Sequence, residues 1–338
     1  MGEKMPQFER PEPVIVGPAT SEKKEEYKQL IRSRFGECHY EQIPEDKRKI
    51  LESLEYEKKP YEKLAIEQAN EITNSIIDEF GLATFDVPER NIHIVPEKLY
   101  KQVEEDGDRV ATTFQDRQLI VLNAERLIHP IDRASTILHE IIHLKNYLAI
   151  EAHEDLHKPY RSGLKISASR KKEERIGFFT AFSGLNEAVV SEIEKRYLQQ
   201  LIHDNQFLAD EYQWEISKEA QEFKEKIAKE KGMEADEIMW ISKDGKDFNR
   251  LPYYEQRKVL NYIVDNLYKD NADKFNSRYE IMKLFFKSHF DGKLLSIARL
   301  IKKSFGNEAF RMVGMMNDEK NSARLVMDYL TKHRRKNK

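Results

Sequence analysis

The stretch Ser135-Thr136-Ile137-Leu138-His139-Glu140-Ile141-Ile142-His143-Leu144 decides how the chain is read. A long helix is expected to begin near Pro130, which suits a first-turn position because the N–H it lacks would be unpaired there anyway. At about 100° per residue, His139 and His143 share a face with Asp132, Ser135, Thr136 and Asn146. Ile131, Ala134, Ile137, Leu138, Ile141, Ile142, Leu144 and Leu148 fill a broad opposite arc. One side of this helix is expected to anchor in a core and the other to look into a cleft.

Two histidines four apart on a helix stand one turn above each other, so their imidazoles can converge on one ion. Zn²⁺ suits such nitrogen donors, and a glutamate directly after the first histidine, here Glu140, can reach a metal-bound water as general base. A pair of surface histidines on the polar side of an amphipathic helix would show the same spacing, so a third ligand is needed to choose. The extended histidine arrangement asks for Gly and His where this chain has Asn146 and Ala149, which excludes it. The other common arrangement takes a glutamate from a later helix. Ser183-Gly184-Leu185-Asn186-Glu187 offers one, with Ser183 placed to cap the helix and Val190, Leu198 and Leu201 flanking the side on which Glu187 lies. An acid bordering an apolar stripe calls for a partner, and a cation would supply it. A solvated first-turn carboxylate, favoured by the helix dipole, is the other reading.

Outward from these segments the chain reads as α+β. Tyr61–Phe80 repeats Leu64, Ala65, Ala69, Ile72, Ile76 and Ile77 at helical spacing and stops at Gly81. Asn91–Val95 alternates as a strand up to Pro96, and Arg109–Phe114 with Gln118–Asn123 predicts a hairpin around Gln115-Asp116-Arg117. Tyr160–Ser169 and Ile176–Phe182 read as strands linked by the charged Arg170–Arg175, before a helix from Ser183 to about Ile202. Ser21–Arg34 and Pro44–Tyr56 read as charged helices, and beyond Asp204 everything reads as helical around a loop at Lys243-Asp244-Gly245-Lys246. The expected organisation is a flexible leader over 1–20, a helical extension over 21–58, an α+β core over 59–205 and a helical C-terminal region over 206–338.

Bulk composition narrows the class. At 338 residues, 39% hydrophobic and 35% charged, the chain can bury a sizeable core under a charged surface and is not a disordered tract. A net charge of −3 draws it toward neither nucleic acid nor anionic lipid, and the basic runs at Arg170–Arg175 and Lys332–Lys338 read as solvated surface. The single cysteine, Cys38, rules out an internal disulfide framework and favours a reducing compartment. With no signal-peptide-like start and no apolar run of membrane-spanning length, a cytoplasmic location is expected and no membrane association.

His139-Glu140-Ile141-Ile142-His143 followed by Asn186-Glu187 resembles the gluzincin group of metallopeptidases, whose third zinc ligand is a helical glutamate often preceded by Asn. The interval between the motifs is longer than in thermolysin-like enzymes and closer to lethal-factor-type toxin peptidases. The resemblance extends at most over residues 60–205, where the helix–strand–hairpin order is similar to a minimal zincin core. It implies a zincin-like fold there, with His139, His143 and Glu187 as zinc ligands and Glu140 as the base. It also implies a peptide or protein substrate, which would add as a strand to Gln118–Asn123, the strand before the metal helix. One departure stands out: four residues after the glutamate, where thermolysin-like proteins carry an acid that supports a histidine, this chain has Ser191.

A second match to the four-residue pattern, His153-Glu154-Asp155-Leu156-His157, lies just before Pro159 and reads as an exposed helix end, the looser alternative being a second metal site. A donor for a developing oxyanion is also required, and Tyr160, Arg161, Tyr197 and His203 are the candidates. Tyr160 and Arg161 are preferred because a hairpin there would fold over the cleft; each also has a structural reading. The expected function is zinc-dependent peptide hydrolysis. The alternatives are a zincin-scaffold regulatory or binding protein without significant hydrolysis, and a metal-free helical interaction protein. The C-terminal helical region is a candidate surface for a protein partner.

Overall fold

The computed structural model describes residues 10–33, 54–104, 109–155, 157–172 and 175–334. Cys38, most of the expected helix over Pro44–Tyr56 and the last residues of the basic tail lie outside them. The chain is mixed α+β. It opens with β1 (Val14–Val16), α1 (Ser21–Ser33), α2 (Pro60–Glu79), β2 (Ile92–Val95), α3 (Glu97–Val103), β3 (Ala111–Phe114) and β4 (Leu119–Asn123). The central helix α4 (Pro130–Leu144) leads into β5 (Leu148–Ala152), β6 (His157–Ser162), β7 (Lys165–Lys172) and β8 (Arg175–Ala181). Then come α5 (Ser183–Asp204), α6 (Ala209–Glu215), α7 (Lys218–Lys231), β9 (Ile238–Ile241) and β10 (Phe248–Arg250). Five helices close the chain: α8 (Tyr254–Asp270), α9 (Arg278–Asp291), α10 (Leu295–Phe305), α11 (Ala309–Gly314) and α12 (Lys320–Lys332).

Two compact units share these elements: Met1–Glu12, Glu25–Lys145 and Glu194–Leu251 form one, and Pro13–Lys24, Asn146–Ile193 and Pro252–Lys338 the other. In the first, the sheet β2-β4-β3 has β2 parallel and β3 antiparallel to β4. Helix α4 packs on α2 and on this sheet. The expected helical arc forms as far as Leu144, with Ile131, Ala134, Ile137, Leu138, Ile141, Ile142 and Leu144 all fully buried, while Leu148, expected on the same arc, belongs to β5. Each such Ile or Leu contributes roughly 1.5–3 kcal/mol relative to an exposed one. Pro130 takes the first helical position, and His129 Nδ1 accepts from the Ile131 N–H at 3.2 Å, filling one of the open donors of the first turn. The helix stops at Leu144. The next residue, Lys145, is buried, its ammonium held by the Asn70 carbonyl at 3.2 Å and Asn74 Oδ1 at 2.8 Å, and burial pushes its pKa down to about 7.

In the second unit the sheet order is β1-β5-β6-β7-β8. The apolar patch Val14–Val16 is a strand there, parallel to β5. The expected strand over Tyr160–Ser169 is split in two at Gly163, which has a φ of 58°. A Cβ there would lie 2.6 Å from both Asn186 Oδ1 and His289 Nδ1, so only glycine fits the turn. The C-terminal helices gather around α8, whose Val259, Leu260, Ile263, Val264 and Leu267 are buried.

Two expectations are corrected here. The region after Asp204 is helical except for an antiparallel hairpin, β9 with β10, around the Lys243–Lys246 loop. Ile238-Met239-Trp240-Ile241 is a short apolar run, which periodicity cannot tell from a buried helical segment. The second histidine pattern is not helical either. Leu148–Ala152 pairs with β1 on one side and β6 on the other, so its backbone is used on both edges, and His153 lies in the connection to β6, which His157 begins. No helix among the described residues is long and apolar enough to cross a membrane.

Candidate metal centre

His139 and His143 point their Nε2 atoms at one spot, 3.2 Å apart, with the rings inclined at 65°. Two nitrogens each 2.0–2.1 Å from a tetrahedral ion stand about 3.3 Å apart, so the pair already has the spacing of ligands to a shared metal. Glu187, in the second turn of α5, adds a carboxylate oxygen. The three ligand atoms lie within 4.8 Å of one another, with His139 buried and the other two half-buried. The described residues contain this one group of three or more potential metal ligands so placed.

The sequence reading found no support for the histidines at Ser191. The structure supplies it from Glu194, one turn further on. Glu194 Oε2 lies 2.9 Å from His139 Nδ1, and Oε1 accepts a hydrogen bond from the Ser135 hydroxyl. A carboxylate that accepts from Nδ1–H leaves the lone pair on Nε2, the tautomer a metal requires. Seven residues separate Glu187 and Glu194, close to two whole helical turns, so both leave the same face of α5. Ser191 Oγ, between them, is buried and has no hydrogen-bond partner among the described residues. Glu194 is legible in the sequence as an acid seven positions after Glu187, beyond the i+4 position where thermolysin-like proteins carry theirs.

The same face of α4 continues to Asp132, whose Oδ1 accepts from Trp240 Nε1 at 2.5 Å and Asn249 Nδ2 at 3.0 Å. Burial raises the pKa of this carboxyl, and those two bonds oppose the shift. Trp240 also stacks on His129, with centroids 4.0 Å apart and planes 5° from parallel. Burial pushes the His129 pKa down to about 4. The unexpected hairpin thus fastens the start of the metal helix.

Glu140 is buried, and its Oε2 accepts a hydrogen bond from Thr113 Oγ1 at 2.5 Å. Two residues on, just past the end of β3, Gln115 Nε2 donates to the His143 carbonyl at 2.6 Å. Strand β3 is therefore the one docked on the motif. The expectation that Gln118–Asn123 offers an open edge is corrected: β4 is the central strand, paired on both sides, and β3 is the edge.

Tyr160 and Arg161 are neighbours on β6, both half-buried. Arg161 lies over the Tyr147 ring with Cζ 5.3 Å from its centroid, its Nε and Nη2 are buried with no hydrogen-bond partner among the described residues, and burial lowers its pKa. Tyr197 is half-buried on α5. His203 is engaged at the surface, 2.6 Å from Asp204 and edge-on to Tyr212. The structure gathers His139, His143 and Glu187.

The fold and site define a mixed α+β protein with a candidate His/His/Glu metal centre. No protein-family model, curated protein or solved structure matches the chain, so its assignment rests on these side chains.

Proposed function

We propose that this protein is a zinc-dependent metallopeptidase acting on peptide or protein substrates. The observation that carries the reading is the convergence of His139, His143 and Glu187 beside the buried carboxylate of Glu140. Nitrogen donors with one carboxylate suit Zn²⁺, and a hydroxyl-anchored acid next to a ligand has no function in mere metal storage. A bound ion of this kind supplies Lewis acidity, making water nucleophilic near neutral pH and polarising a carbonyl.

The chain's own residues do the remainder. Glu194 keeps His139 in the tautomer that presents Nε2. Glu140, steadied by Thr113, takes a proton from the attacking water as its oxygen bonds to the peptide carbon, then returns that proton to the amine as the C–N bond breaks. Tyr160 and Arg161 are the proposed donors to the developing oxyanion. The fold is read as zincin-like around this site, and the location as cytoplasmic from the lone Cys38. No nucleic acid or membrane partner is proposed, and the C-terminal helices are the proposed surface for a protein partner.

The test is an unbiased peptide-library digest with zinc-loaded wild type and Glu140→Gln. Wild type is expected to cleave, and the variant to keep its metal while losing about 10²–10⁴-fold in rate. Equal cleavage by both would refute the mechanism. A zinc-loaded wild type that cuts nothing would favour a binding protein on the same scaffold.

A further inference from the structure

We infer that the C-terminal helical region positions the third metal ligand, with Gly314–Asn317 and His289 holding the first turn of α5, on which Glu187 follows. This rests on the reading of Glu187 as a ligand. The first N–H groups of a helix have no partners within it, and here the linker after α11 reaches in to meet that end. Phe182 N–H donates to the Gly314 carbonyl at 2.7 Å, and Gly184 N–H to the Met316 carbonyl at 2.9 Å. Phe182 is buried with a φ of 63°, a region that bulky residues seldom occupy, so its surroundings must hold it there. Its ring lies 4.8 Å from that of Phe310, and a Cβ on Gly314 would approach it to 3.0 Å.

Gly184 has less room still: an added Cβ would lie 2.5 Å from the Asn317 carbonyl oxygen and 2.9 Å from Met316 Cγ. That same carbonyl accepts from Gln256 Nε2 of α8 at 3.1 Å, which ties the linker to the buried centre of the helical region. Asn186, directly before Glu187, is the third fixed point. Its Oδ1 accepts from the Leu164 N–H at 3.0 Å and lies 3.2 Å from Nδ1 of the fully buried His289. Residues 182, 184 and 186 are thus each fastened to something outside their own helix, in the five residues leading to Glu187. A metal ligand must be held to within about 0.5 Å, and these contacts supply that constraint.

The test compares full-length wild type, Gly184→Ala and Gly314→Ala, using Zn²⁺ alone as probe in competition with a chromogenic chelator. Hydrogen–deuterium exchange of residues 183–190 is measured on the same metal-free samples. Gly184→Ala is expected to bind zinc roughly tenfold to a hundredfold more weakly, as losses of supporting contacts do, and to exchange faster at the start of α5. Gly314→Ala, facing only a ring edge that can give, should change both in the same direction by less. If Gly184→Ala does not fold, Phe182→Gly keeps the N–H and suits the positive φ while removing the ring, and it is expected to show the same two effects. A folded Gly184→Ala or Phe182→Gly with wild-type affinity and wild-type exchange overturns the inference. A wild type that binds no zinc rejects the metal reading instead, and the exchange arm then decides the anchoring by itself.

Discussion

Glu194 and His139 are joined by a 2.9 Å contact between Oε2 and Nδ1 that fixes which imidazole nitrogen faces the metal position. The acid comes from the helix that also carries Glu187, so one helix supplies both a candidate ligand and the support of a second candidate ligand. Glu194→Ala is therefore expected to weaken zinc binding by about 10–100-fold without removing any ligand. Chelator competition checks it. Unchanged affinity would mean that the packing of α4 alone orients His139.

The Thr113 hydroxyl donates to the Glu140 carboxylate from the edge strand. A hydrogen bond to a charged group contributes roughly 1.5–3 kcal/mol, so Thr113→Val is expected to lower kcat by about 10–100-fold, with zinc content and KM little changed. Thr113→Ser, which restores the hydroxyl, should recover most of the rate. A loss shared equally by Ser and Val variants would point to packing of β3 and not to the bond.

Stability at mildly acid pH is a third consequence. The His129 pKa is depressed from 6.5 to about 4 by burial against Trp240, where its neutral Nδ1 caps α4. Between pH 4 and 6.5 the unfolded chain holds a proton at this residue that the folded chain lacks, so this group's contribution is lost as pH falls through that window. In urea titrations of metal-free protein, wild type is expected to lose more stability between pH 7 and pH 5 than His129→Asn does. Equal losses would remove His129 from the account.

Much of this architecture is legible in the amino-acid sequence. The helix that begins at Pro130, the β3–β4 hairpin and the helix from Ser183 follow from apolar periodicity and from Pro and polar punctuation, which act locally, whereas the end at Leu144, ahead of Asn146 and Leu148, does not. The two histidines are legible as candidate ligands because their spacing on one helix is a local property, whereas Glu187, on another helix, is legible only through the common arrangement that takes a glutamate from a later helix. What escaped depended on distant partners. β5 is a strand because β1 and β6 flank it, and nothing within Leu148–Ala152 announces those neighbours. The β9–β10 hairpin hid in a short apolar run, and its Trp240 reaches Asp132 from more than a hundred positions away. Thr113 met Glu140 only once β3 was known to be the edge docked on α4.

The central claim is a metal held by His139, His143 and Glu187, and elemental analysis of purified protein tests it most directly. Wild type is expected to carry one zinc per chain and His143→Ala little, because loss of one of three ligands leaves the site too open to retain the ion. His153→Ala and His157→Ala, altered in the β5–β6 hairpin, should keep full occupancy. Full zinc in His143→Ala, or zinc lost as completely from either hairpin variant, would contradict the account.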